Sequence, residues 1–312
     1  MIKITLRQLH YFDVLVSVGH FGRAAQACAV SQSALSVQIQ ELEAQLGVVL
    51  IERNRRGIVL TQYGEEIARR AAEVLTSARD LVDHARQHKT LLDGALRFGV
   101  IPTVAPYLLP PLLPHLRDAF PNLELYVRET QTSVLLAEVA DAKLDLALVA
   151  LPIRQSDLIS HPLFEETFVL AVPLSYRPSG PNVVPADLLK QERLLLLEEG
   201  HCFRDQALDY CNLQEVTAGG LGSSTLGLSS FTTIVRMVAN GYGFTLLPQM
   251  ALDTEVRERQ IASQIRLLTL PDPQPKRILG LVWRKTSRRQ ADFHTIAREI
   301  VGLPRAPGQF VS

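Results

Sequence analysis

The sequence predicts an α/β protein with three parts: an amino-terminal winged helix-turn-helix, a long linking helix, and a carboxy-terminal region of two α/β subdomains. Three observations carry that prediction. Within residues 22–46 a short helix, a tight turn and a polar-faced second helix follow one another. From Gln62 to about Leu92 apolar residues recur at heptad-like spacing. Beyond Asp93 short apolar runs alternate with helical ones, the pattern of a sheet with parallel strands.

Length and composition agree with this division. The chain has 312 residues, which fits about two domains, and is 47% hydrophobic and 21% charged, enough apolar material for proper cores. The formal net charge is zero, so bulk charge does not itself point to nucleic acid. No apolar run approaches the roughly 18 residues needed to span a membrane. The start, Met1-Ile2-Lys3-Ile4-Thr5-Leu6, lacks the basic and long apolar stretches of a signal peptide, so the cytoplasm is the expected location.

Residues 5–17 place Leu6, Leu9, Phe12, Val14 and Leu15 near one helical face. A second short helix spans 22–28, where Ala24 and Ala25 permit close packing. Ala29 and Val30 make the turn, and Ser31 is suited to cap a third helix over 32–46, which Gly47 stops. In such a motif the second helix enters the major groove. Gln32, Ser33, Ser36 and Gln38 then present short donors and acceptors to base edges. Residues 48–61 read as two strands around a basic turn, so Arg53, Arg55 and Arg56 form a wing beside the DNA backbone.

The helix from Gln62 reads as linker and dimerisation helix, with a surface helix packed on its own domain as the plainer alternative. Arg69, Arg70 and Arg86 read as its solvated face. Strands are expected at 95–101, 123–128, 144–150, 167–172, 194–197, 244–247 and 278–283. Helices are expected after Thr103, at 133–140, after Gly200, at 231–239 and at about 288–301. The domains are accordingly 1–61, the helix 62–92, the α/β region 93–305 and a tail 306–312, with the chain after Gly302 loose. Ligands of such sheets sit at the carboxyl ends of strands.

There are three cysteines, Cys28, Cys202 and Cys211, too few for a disulfide scaffold and without a fourth ligand at metal-site spacing. Taken alone, each reads as a small packing residue. No Ser/His/Asp signature or Gly-rich phosphate loop suggests an enzyme, and no cofactor or metal is expected.

The stretches F-x-x-A-A from Phe21, S-Q-S-A-L-S-x-Q-I-x-x-L-E from Ser31, L-G at Leu46 and L-T-x-x-G at Leu60 resemble the LysR family of transcription regulators. One departure is Ile51 before Glu52-Arg53, where the family often has Phe. Further on, G-V-I-P-T-V-x-P-Y-L-L-P from Gly99, E-x-Q-T from Glu129, K-L-D from Lys143, L-L-P at Leu246 and E-x-G-H-C-x-R-D-Q-A-x-x-x-C from Glu198 are similar to the hydrogen-peroxide-sensing members. The resemblance covers nearly the whole chain, less so at 212–229. It implies a periplasmic-binding-protein-like sensing domain and control of oxidative-stress genes. It also implies a reversible disulfide between Cys202, the peroxide-reacting thiol, and Cys211, the resolving thiol. Thr103, Thr132, His201, Arg204 and Asp205 would bind or activate peroxide. The implied partners are promoter DNA, hydrogen peroxide, further copies of the chain in a homodimer or homotetramer, RNA polymerase, and glutaredoxin or thioredoxin as reductant.

Elementary geometry adds a constraint to that pair. If 203–211 is helical, the two cysteines lie about 13.5 Å apart along the axis, on opposite faces. A disulfide needs Cα atoms within about 7 Å, so helix and disulfide exclude each other. Helix start and neighbouring Arg204 favour an ionised thiol at Cys202; the helix end disfavours one at Cys211. Two other functions fit parts of the chain. A LysR-type regulator could read a small metabolite in the α/β cleft, near Thr103 and Thr132. A thiol peroxidase would use the cysteines but leave the first domain without a purpose.

Overall fold

The computed structural model describes residues 3–54, 57–85, 91–177, 193–211, 228–257, 261–270, 272–303 and 309–310. The chain divides into two compact units, Met1–Gln87 and His88–Ser312.

The first unit begins with α1 (Leu6–Val18), entered through a capping box in which Thr5 and Gln8 exchange side-chain and backbone hydrogen bonds. α2 (Phe21–Ala27) follows, then the turn, then α3 (Gln32–Leu46). Ser31 Oγ accepts from the Ala34 amide at 3.2 Å and Gly47 closes the helix at φ 71°, as their residue types predict. Phe12, Leu15, Ala24, Leu35 and Leu42 are fully buried between the three helices. The wing is β1 (Ile51–Asn54) antiparallel to β2 (Gly57–Leu60). It is tied to α3 by Glu43, whose carboxylate accepts from the Leu50 and Ile51 amides. Gly57 is required where it stands. Its φ is 142°, and a Cβ there would lie 2.5 Å from the Gly19 carbonyl oxygen.

α4 (Gln62–Ala85) packs Ala71 and Leu75 inward and leaves Tyr63, Val74 and Leu81 exposed. Arg69 and Arg70 bond Glu66 along its exposed face. The helix was expected to reach Leu92. It is described to Ala85, residues 86–90, with Arg86, lie outside the described residues, and 91–92 form a turn.

The second unit contains β3 (Gly94–Val100), α5 (Ala105–Ala119), β4 (Leu123–Glu129), α6 (Thr132–Ala140) and β5 (Leu146–Leu151). Here β3 runs parallel to both β4 and β5. β6 (Leu158–Pro173) then pairs antiparallel with β9 (Lys276–Arg284), and its far half pairs antiparallel with β7 (Thr245–Pro248) and β8 (Ile265–Thr269). The sheet is therefore mixed rather than parallel, because strands that return through the second subdomain come back in the opposite direction. α7 (Cys202–Cys211), α8 (Phe231–Ala239) and α9 (Gln290–Val301) complete the elements used below.

Two hydrophobic clusters confirm the division into halves. One gathers Phe98, Leu148, Leu281 and Trp283; the other gathers Leu170, Phe203, Ile234 and Leu246. β6 contributes Phe164 to the first and Phe168 to the second. Its first half was not expected, since Leu158–Glu166 carries charged and proline residues among the apolar ones. Residues 194–197 are a correction of the opposite kind. They form single bridges, Leu194 to Phe244 and Leu197 to Leu228, not a strand. The tail, expected to be loose, contributes β10 (Gln309–Phe310), which pairs with Phe164 and Glu165 of β6.

Candidate functional site: a cleft at the head of the cysteine helix

Three chain segments converge in the second unit. After the carboxyl end of β3 come Ile101, Pro102 and Thr103; α6 begins at Thr132; and Gly200-His201-Cys202 leads into α7. Together with Gln131 they line one narrow cleft. Thr103, Thr132, His201 and Cys202, singled out separately from the sequence, are thus brought together.

Cys202 is the first residue of α7 and is half-buried against the first hydrophobic cluster. The turn before it depends on Gly200, which has φ 94° and would put a Cβ 2.3 Å from Gln131 Oε1. Gln131 Nε2 donates to the Glu199 carbonyl at 3.2 Å, fixing that turn against α6. Backbone helix extends to Cys211, so a disulfide to Cys202 is excluded while α7 persists. The Cys211 side chain lies outside the described residues.

Thr103 is 2% exposed and held by a residue the sequence did not flag. Arg277 Nη1 donates to Thr103 Oγ1 at 2.9 Å and Nη2 to its carbonyl at 3.2 Å. The same guanidinium donates from Nε to Glu166 Oε2 at 2.8 Å and lies 5.4 Å from the centroid of the Phe203 ring. Glu166 also accepts from the Met250 amide. Both charges are fully buried and directly opposite in the β6–β9 ladder. Such a pair survives desolvation only when its donors and acceptors are met, as they are here. The Thr103 hydroxyl, already an acceptor, keeps its proton for another partner. Thr132 Oγ1 and Gln206 Oε1 are buried without a hydrogen-bond partner among the described residues. Gln206 stands one turn beyond Cys202 on the same helix side. It was assigned no role from the sequence, although it stands as a letter of the motif that begins at Glu198.

His201 is buried, and burial pushes its imidazole below the ordinary value, with Glu198 at 3.9 Å opposing. Arg204 and Asp205 do not line the cleft. Arg204 Nη1 donates to the Leu197 carbonyl, bracing the turn from behind. Asp205 is exposed; partial burial raises its carboxyl, Arg204 opposes, and Asp209 and Glu199 add to the rise.

In the first unit Gln32 and Ser33 are exposed at the start of α3, with Ser36 and Gln38 half-exposed behind them. Gln38 donates to Glu41 at 2.8 Å. The Arg53 side chain and all of Arg55 and Arg56 lie outside the described residues. Among the described residues no group of three or more metal-ligating side chains forms, and no helix is long and apolar enough to cross a membrane.

A helix-turn-helix with a wing, followed by a two-part α/β domain with a cleft at its strand ends, defines a ligand- or signal-responsive transcription regulator. Residues 6–65 match the bacterial regulatory helix-turn-helix protein, lysR family, and residues 89–302 match the LysR substrate binding domain; the chain belongs to the LysR family. It is 38% identical over 297 residues to the DNA-binding transcriptional dual regulator OxyR of Escherichia coli (strain K12), covering 95% of each chain. Among solved structures it is similar to a full-length OxyR of Pseudomonas aeruginosa carrying a cysteine-to-aspartate substitution. That match has a TM-score of 0.76 and 35% identity over 97% of this chain and 99% of the other. It is also similar to a cysteine-to-serine mutant of Corynebacterium glutamicum OxyR with hydrogen peroxide bound. There the TM-score is 0.61 and the identity 33%, over 95% and 93% of the two chains.

Proposed function

We propose that this chain is a DNA-binding transcription regulator that senses hydrogen peroxide through Cys202 and Cys211. The observation that carries the reading is the placing of Cys202. It opens a helix that ends at Cys211, and it shares its cleft with the Thr103 hydroxyl and the buried Thr132 hydroxyl. In the first step the Cys202 sulfur attacks one peroxide oxygen and the O–O bond breaks. Sulfur is oxidised to sulfenic acid, and the other oxygen leaves as water after taking up a proton. The hydroxyls of Thr103 and Thr132 hold peroxide against the sulfur. In the second step the Cys211 thiol attacks the sulfenic sulfur, a second water leaves, and the disulfide forms. Since α7 cannot contain that bond, it must unwind, which supplies the two-state element of a switch.

The hydrogen peroxide bound in the similar Corynebacterium glutamicum structure supports this reading. The protein then acts in the cytoplasm on promoter DNA as a homodimer or homotetramer. The exposed apolar residues of α4 join the subunits, Gln32, Ser33, Ser36 and Gln38 read bases, and Arg53, Arg55 and Arg56 hold the backbone. RNA polymerase is the partner at the promoter, and glutaredoxin or thioredoxin returns the dithiol.

A second reading, a small metabolite as signal, is favoured by one observation. A cavity of about 180 Å³ adjoins Thr103 and is lined by Glu129, Glu255 and several hydroxyls, without Cys202 among its lining residues. The deciding experiment counts free thiols and maps disulfides by mass before and after stoichiometric peroxide. Loss of two thiols into a 202–211 bond reversible by dithiothreitol is expected. Retention of all three thiols would turn the argument to the metabolite.

A further inference from the structure

The cavity beside Thr103 is walled by a hydrogen-bonded bridge that the mechanism above does not use. Tyr107, in the first turn of α5, packs against both hydrophobic clusters of the second unit. Its hydroxyl donates to Glu255 Oε1 at 3.2 Å, and Thr232 Oγ1 donates to Glu255 Oε2 at 2.9 Å. Glu255 is 4% exposed and lies in the second half of the domain, while Tyr107 belongs to the first. Burial, and then the nearby Glu255, raise the Tyr107 phenol far above its ordinary value, so it stays a donor at any physiological pH.

Each arm of this bridge reaches one wall of the peroxide cleft. On the first side Tyr107 stands four residues after Thr103. The chain between them is a closed turn, with the Val104 and Ala105 amides both bonded to the Ile101 carbonyl and the Tyr107 amide to the Val104 carbonyl. Displacing Tyr107 therefore displaces Thr103. On the other side Thr232 sits in the first turn of α8. The residues before α8 are fixed to the approach to Cys202, since Leu228 pairs with Leu197 and its carbonyl accepts from the Glu198 amide at 2.8 Å. Glu255 is thus a tie between the segment that carries Thr103 and the segment that leads into Gly200-His201-Cys202, beside the one that Arg277 makes from Thr103 to the Phe203 ring. Arg277 anchors Thr103 to β9, but it does not reach α8.

We propose that the Tyr107–Glu255–Thr232 bridge is a positioning device that sets the separation of the Thr103 hydroxyl and the Cys202 sulfur, and with it the rate at which peroxide is attacked. The proposal rests on the reading of Cys202 as the peroxide-reacting thiol. None of the three residues lines the cleft that holds Cys202, so their action is through Thr103 and the turn.

The test compares two reactions of Cys202 in the reduced full-length protein. One is with hydrogen peroxide, which must be held by hydroxyls. The other is with iodoacetamide, which needs only access to the sulfur. Both are followed at Cys202 by peptide mass mapping. For Tyr107→Phe the peroxide rate constant is expected to fall about ten-fold, within the hundred-fold that a misplacement of about 1 Å can cost. The iodoacetamide rate should stay within about two-fold. Thr232→Val should show the same selectivity with a smaller loss, about three-fold. Glu255→Gln, which can still accept from Tyr107 and donate to Thr232, should keep most of the peroxide rate. Parallel changes in both rates would mean that the bridge only controls packing and would overturn the proposal. So would unchanged peroxide rates in Tyr107→Phe and Thr232→Val. A wild-type protein unreactive to peroxide would remove the parent reading itself, an outcome distinct from either.

Discussion

α3 and α7 are both helices that carry function, and they are built to opposite ends. α3 has 15 residues, a serine cap, a left-handed glycine stop and three core anchors, Leu35, Ile39 and Leu42. α7 has 10 residues, begins at a cysteine after a positive-φ glycine turn, and among its described side chains buries only Phe203 and Ala207 fully. An isolated helix of that length is marginal in water, so α7 persists through its docking. On the proposed function, a helix that reads bases must hold its shape, whereas one that closes a disulfide between its own ends has to be surrendered. On that reading, local stability is expected to be distributed according to what each segment does.

The largest expected effect comes from removing the docking of α7. Phe203 packs on Phe168 at 4.8 Å and on Phe231 at 5.1 Å between ring centroids. Phe203→Ala in a core costs about 3–5 kcal/mol. Because α7 can detach, that cost is expected to appear as local opening: amide exchange over 203–211 rises to loop-like rates while the protection of α3 is unchanged. A comparable truncation in α3, Leu42→Ala, costs about 2–5 kcal/mol, and its loss should instead lower the unfolding midpoint of the first unit as a whole. If Phe203→Ala lowers protection evenly through the second unit, α7 is not a separate element and the comparison fails.

A smaller effect sharpens the other side. Ser31→Ala removes the hydroxyl that accepts from the Ala34 amide, at a cost of about 1 kcal/mol. It should weaken operator binding by fraying the end of α3 that carries Gln32 and Ser33, and leave the rate of Cys202 oxidation untouched. A change in that rate, read by thiol titration, would show that the two helices are coupled in the reduced protein.

Much of this was legible in the sequence, for identifiable reasons. α3 was readable to the residue because Ser31 and Gly47 act locally, through their own backbone neighbours. β5 was readable because Leu146–Leu151 is uniformly apolar, as suits a strand buried at all but its last residue. Thr103, Thr132, His201 and Cys202 were legible as residues, through their motifs, but their convergence was not, since it depends on how three distant segments fold together. Arg277 escaped altogether. In Lys276-Arg277 the two cations look alike, yet strand alternation turns Lys276 outward to Glu165 and Arg277 inward to Glu166, 111 positions away. Arg204 shows the reverse difficulty: its place beside Cys202 points to the cleft, while its side chain, long and at a helix start, turns back to the Leu197 carbonyl.

The smallest expected effect separates the helices by pH. α3 contains no histidine, whereas His201 precedes α7 directly. Burial lowers the His201 imidazole, and Glu198 only partly offsets it. The folded state therefore prefers the neutral ring. A depressed histidine contributes stability that is full above the unfolded value near 6.5 and is lost as pH falls below it. Amide exchange in α7, corrected for its intrinsic pH dependence, should accordingly show weaker protection at pH 5.5 than at pH 7.5, with no matching change in α3. In His201→Gln the difference between the two pH values should shrink at α7. A pH response that persists in that variant would assign the proton to another group; the Asp205 carboxyl, raised by burial, is not that group, because its protonation favours the folded helix as pH falls and so acts with the opposite sign.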